Sequence, residues 1–142
     1  MIKQVLTLLG AVAVASACST QDEAVVPLQE ISASPGQWDG QVVTVEGWLL
    51  QCGDLDCFIV PTRADLETVQ DACPGERCDL AIDVFDKRAV SIGYDEAFDR
   101  SAKPLRGSHV LVTAKVHADE WLQPGLDRSE ALQPISIRPF GE

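Results

Sequence analysis

Histidine is nearly absent from this chain. The two that occur, His109 and His117, would stand about 26 Å apart in one extended strand. That is too far to share a metal ion, and both fall on the outward parity as solvated strand residues. Methionine and tyrosine occur once each. No G-x-S-x-G, H-E-x-x-H, phosphate-binding glycine loop or dinucleotide fingerprint is present. Carboxylates are plentiful, but a charge-rich surface accounts for them. The expectation is a protein that is not an enzyme and needs no cofactor. Positive charge is also short: 11 Lys and Arg stand against 22 Asp and Glu, a net of −11, with no basic run. Phosphate backbones are bound mainly by Lys and Arg that neutralise them, so nucleic acid and anionic lipid surfaces are disfavoured as partners. No apolar run reaches the roughly 20 residues that a membrane-spanning helix needs.

What the N-terminus does contain is the set of parts of an export signal. Met1-Ile2-Lys3-Gln4 carries one positive charge. Val5 to Ala15 is apolar or small apart from Thr7, and Ala15-Ser16-Ala17 supplies a small-residue cleavage site. Cys18 follows, and "AVASACS" resembles the lipobox of bacterial lipoproteins, with Ala15 where leucine is commonest. The resemblance implies lipidation of Cys18 as the new N-terminus, and Ser19 rather than Asp after it implies the outer membrane, facing the periplasm. Plain secretion after a cut at Ala17 is the alternative. Five cysteines are an odd count, and an acyl chain on Cys18 would leave four to pair. Residues 1–17 are therefore read as signal peptide, 18–27 as lipidated cysteine and polar tether, and 28–142 as one domain, a length that supports a modest core.

Five stretches read as strands. Gly40–Cys52 alternates, with Val43, Val45, Gly47 and Leu49 on one side and Thr44, Glu46, Trp48 and Leu50 on the other. Gly47 suggests a bulge or sharp bend. Cys57–Thr62 is a second strand and Cys78–Phe85 a third, with Leu80, Ile82 and Val84 on one face. Gly107–Ala118 is a fourth, with Val110, Val112, Ala114 and Val116 inward. Pro134–Phe140 is a fifth, with Ile135 and Ile137 inward. Short helices are expected over Tyr94–Ala102 and Arg63–Ala72. A long bent first strand, five strands and a helix between the third and fourth match the layout of an OB-fold. "DGQVVTVEGWL" and "LRGSHVLVTAKV" resemble the first and fourth strands of bacterial periplasmic OB-fold domains. The expected class is mainly β, a small five-stranded OB-fold-like barrel with one or two short helices. A β-sandwich or an SH3-like barrel is the alternative.

The remaining cysteines form two C-x4-C pairs, Cys52–Cys57 and Cys73–Cys78. Zinc ligation fits that spacing, but an exported chain meets an oxidising compartment in which four thiols become two disulfides. Opposed residues on antiparallel strands lie at a Cα separation that a disulfide accepts. This favours 52–57 with 73–78, and 57–73 or 57–78 are the rivals. A metal or redox protein built on these pairs is the second functional reading, and single-strand nucleic-acid binding is a disfavoured third. OB-folds bind along their second and third strands, flanked by the first hairpin loop and the loop between the last two strands. Asp54, Asp56, Trp121 and Arg128 are the candidate contacts there, with no metal site expected. The leading reading is a non-catalytic envelope lipoprotein that binds a protein, peptide or glycan, held to the membrane by its acyl anchor.

Overall fold

A computed structural model describes residues 24–53, 55–71, 78–121 and 128–142. The signal segment, Cys18, Asp54 and Cys73 lie outside them. Among the described residues no helix is long and apolar enough to cross a membrane.

The described residues are mainly β, one six-stranded sheet with four α-helices where five strands and one or two short helices were expected. In chain order the elements are β1 (Val25–Pro27), α1 (Leu28–Ala33), β2 (Val42–Cys52), β3 (Cys57–Val60), α2 (Arg63–Gln70), α3 (Cys78–Lys87), β4 (Val90–Ser91), α4 (Glu96–Ala102), β5 (His109–Val116) and β6 (Leu132–Pro139). The strand order is β4-β3-β2-β5-β6, and β1 lies beside the first half of β2. Every neighbouring pair is antiparallel except β1 with β2, which is parallel. The sheet is open. A single parallel bridge, Ile92 to Leu132, joins its two ends among the described residues, and there the Gly93 N–H donates to the Leu132 carbonyl at 2.8 Å.

The alternation in β2 and β5 sorts their side chains as the sequence implies. Val43, Val45, Leu49, Val110, Val112, Ala114 and Val116 meet Ile59, Ile92, Leu132 and the α4 residues Phe98 and Ala102 in the main core. Trp38 and Trp121 pack against its margin. Gly47 serves contact more than bending. A Cβ there would stand 2.7 Å from Ile59 Cδ1, so the glycine lets β3 close on β2. The register shift comes later, between Leu49 and Gln51.

Three expectations need correction. Cys78–Phe85 is not a strand but the body of α3. The stretch carries two periods at once: Leu80, Ile82 and Val84 recur every second residue, while Ala81, Val84 and Phe85 fall at helical spacing. The helix buries Ala81 and Val84 and leaves Leu80 and Ile82 exposed. Asp79 in its first turn and Lys87 in its last suit the helix dipole. Secondly, Ile135 does not point inward. A bulge opposite Thr113 and Ala114 adds one residue to β6, which turns Ile135 out to 55% exposure while Ile137 stays against the core. Thirdly, the segment read as tether is already structured at Val25, where β1 pairs with Thr44, Val45 and Glu46 of β2.

Candidate functional site

The sequence placed ligand binding along Cys57–Thr62 and Cys78–Phe85. In the structure the first holds β3 and the second is the helix α3, which with α2 covers the outward face of β2 and β3. Trp48, Leu50, Phe58 and Val60 point away from the main core and meet Leu66 and Val69 of α2 and Val84 and Phe85 of α3 in a second apolar cluster. Phe58 and Phe85 pack edge to face with ring centroids 5.3 Å apart. Thr62 starts α2 as its cap, accepting from the Asp65 N–H at 3.1 Å. Asp65 is buried, accepts from the Thr62 hydroxyl, and pairs with Arg88 just past α3 at 3.1 Å. The two helices are therefore pinned to each other as well as to the sheet.

Beside this cover runs a row of rings. Trp48 stacks on His109 with centroids 4.6 Å apart, and His109 on Phe140 at 4.1 Å. Arg63 lies over the Trp48 ring, 5.9 Å from its centre. His109 Nε2 is 2.9 Å from Glu46 Oε1. His109 points outward as its parity implies, but it is stacked and partnered where a solvated side chain was expected.

The end of the sheet beyond β2 and β3 is built differently. Cys52 and Cys57 are joined by a disulfide, as the strand pairing predicted, which excludes the 57–73 and 57–78 crosslinks. The turn it encloses is closed by the Gly53 N–H donating to the Asp56 carbonyl at 2.8 Å. Arg128, expected at the surface as a ligand contact, is turned inward with 6% of its side chain exposed. All five of its N–H donors have acceptors inside the protein. Nε donates to the Ile92 carbonyl at 2.7 Å, and Nη1 to the Gly53 carbonyl at 2.9 Å and to Asp99 Oδ2 at 2.7 Å. Nη2 donates to the Gly93 carbonyl at 2.7 Å and to Asp99 Oδ1 at 2.6 Å.

Asp99 belongs to α4, a helix whose cap is Asp95, accepting from the Phe98 N–H at 2.8 Å. One guanidinium thus ties together the stapled hairpin, the exit of β4, α4 and the approach to β6. Geometry this complete is the strong form of an ion pair. The disulfide lies against it, with Cys52 Sγ 3.3 Å from Asp99 Oδ1.

This arrangement decides what the site can bind. Sγ of Cys52 and Cys57 and a carboxylate oxygen of Asp99 lie within 4.8 Å of one another. The sulfurs are bonded to each other and both Asp99 oxygens face Arg128, so the group has no ligand atom to offer a cation while the disulfide stands. Cys78 opens a helix where a strand was expected, which removes the cross-strand argument for pairing it with Cys73. Cys73 lies outside the described residues.

Of the four candidate contacts, Arg128 is spent internally. Trp121 is half-buried against the core margin, a cap more than a platform. Asp56 is half-buried in the stapled turn, and Asp54 lies outside the described residues. The groups most open to solvent here were not singled out from sequence. Leu55, at the hairpin tip, is 85% exposed, and Tyr94 is 62% exposed, with the Arg128 guanidinium 5.5 Å from its ring centre. An apolar residue inside a disulfide-closed turn was the signal available for Leu55. No family model, curated protein or solved structure matches the chain.

Proposed function

We propose that this chain is a non-catalytic binding protein of the bacterial cell envelope, anchored through acyl chains on Cys18, whose OB-like barrel offers its stapled hairpin end to a protein partner. The observation that carries the reading is the Arg128–Asp99 clasp over the Cys52–Cys57 disulfide. It clamps the two ends of a short loop and leaves Leu55 and Tyr94 exposed to water. Loops that are ordered before binding lose little entropy on contact, and an exposed apolar tip on such a loop is the kind of group that fills a partner's pocket. Compartment and chemistry agree, since a disulfide persists where the surroundings are oxidising.

The barrel reading is supported by the strand order, by α4 lying between β4 and β5, and by the Ile92–Leu132 bridge at the position where an OB sheet closes. With α2 and α3 over the outer face of β2 and β3, the hairpin end is the part of an OB-type surface left open. The acidic balance directs it to partners with basic rims.

The test is site-specific photo-crosslinking in cells. A crosslinking residue at position 55 or 94 should give a discrete adduct that the same residue at Ile135, exposed elsewhere on the sheet, does not give. Leu55→Ser should abolish the adduct obtained through position 94. Equal adducts from all three positions would refute a contact at this end. Labelled palmitate in the wild-type chain and none in Cys18→Ser is the result that the anchor requires.

A further inference from the structure

We infer that the domain stands on its membrane with the start of β1 and β2 inward and the stapled hairpin outward, an orientation that rests on the lipid anchor proposed above. The reason is the pairing of β1, which the sequence alone did not reveal. With Val25 already hydrogen-bonded beside Thr44, only residues 19–24 separate the anchor cysteine from the sheet. A fully extended chain from Cys18 to Val25 spans about 25 Å at most. A domain of this length is about 35 Å across. The tether is thus shorter than the body it holds, and it leaves from one end of the sheet.

That end is identified by register. β1 is parallel to β2, and Val25 lies opposite Thr44, two residues into β2. The first residue of β2, Val42, is 60% exposed and pairs with Lys115 of β5. The hairpin carrying Leu55 leaves the opposite end of β2, about 26 Å further along the strand from Thr44. The tether therefore holds Val25 and Val42 towards the lipid, while Leu55 and Tyr94 face the aqueous side. The reach follows as well. Tether and body together place the hairpin within about 60 Å of the bilayer. A partner of the hairpin must then bring its contact within that distance of the bilayer.

The experiment uses the lipidated full chain, purified from membranes and reconstituted into phosphatidylcholine vesicles containing a lipid with a spin-labelled headgroup. A fluorophore is attached through a non-natural residue at position 42 or at position 55. Flotation comes first, because failure to float with the vesicles defeats the anchor itself and leaves the orientation without a basis. Given flotation, quenching at position 42 should exceed that at position 55 by at least twofold. Insertion of a twelve-residue Gly/Ser segment after Ser19 should bring the two towards equality. Equal quenching in the native chain, stronger quenching at position 55, or a difference that the insertion leaves intact would overturn the orientation while leaving the anchor standing.

Discussion

The inner face of the sheet and the hairpin end are held by opposite kinds of chemistry. The inner face is apolar almost throughout, built from β-branched and aliphatic residues of all six strands with Phe98 and Ala102 of α4. Its strength is spread over many contacts, each of them small. The hairpin end has a covalent bond and one buried cation whose five donors meet three other segments of chain. Its strength is concentrated, so the loss of one group removes most of it. Distributed packing tolerates substitution, whereas a concentrated clasp does not.

The largest expected effect comes from breaking the clasp. Arg128→Ala leaves Asp99, whose side chain is 13% exposed, as an unpaired buried charge and strips three carbonyls of their donor. A loss of about 3–5 kcal/mol in chemical denaturation is expected. Arg128→Met combined with Asp99→Leu removes both charges and should recover most of that loss, which separates the cost of an orphaned charge from that of lost packing. If the single variant loses less than about 1 kcal/mol, the contrast between the two regions fails.

Next comes the staple. Replacing Cys52 and Cys57 by serine frees a six-residue loop and should cost about 2 kcal/mol in the same assay. The strand pairing of β2 with β5 should keep its hydrogen-exchange protection, because the inner face does not depend on the bond. Loss of protection throughout β5 would show that the two regions form one unit.

On the inner side the sharpest single change is Gly47→Ala. The new methyl would collide with Ile59 and approach the Val60 carbonyl. A loss of about 1.5 kcal/mol is expected from overpacking, with an equivalent Val112→Ile substitution as a control for tolerance elsewhere in the core. The smallest effect concerns the cover on the outer face. Thr62→Ala removes the cap of α2 and should cost about 1 kcal/mol, read as faster exchange in residues 63–70 with β2 unchanged.

The same contrast explains what could be read from the sequence. The inner face announces itself through period two. Val43, Val45, Val110 and Val112 each alternate with outward residues, so β2, β3, β5 and β6 fall within a few residues of expectation. Helices α2 and α4 were visible too, within the stretches Arg63–Ala72 and Tyr94–Ala102. The stretch 78–85 was misread because its apolar residues satisfy both a strand and a helix period over too few residues to decide. What settles it is the outer face of β2 and β3, whose apolar side chains need a cover. β1 was hidden by its length, three residues at the edge of a polar segment. The clasp was beyond reach for a different reason. Arg128 and Asp99 are separated by 29 positions, and nothing local marks an arginine that will turn inward. A loop arginine looks like a ligand contact until the fold supplies carbonyls to meet it.

One feature of β6 bears on how the protein behaves at high concentration. This strand ends the sheet, and proline stands at positions 134 and 139, with a bulge at Ile135 between them. Proline has no N–H to give a neighbour, and a bulge bends the strand out of flatness. Such a margin is a poor template for another chain, so crowded copies of the domain should resist growing into stacked ribbons.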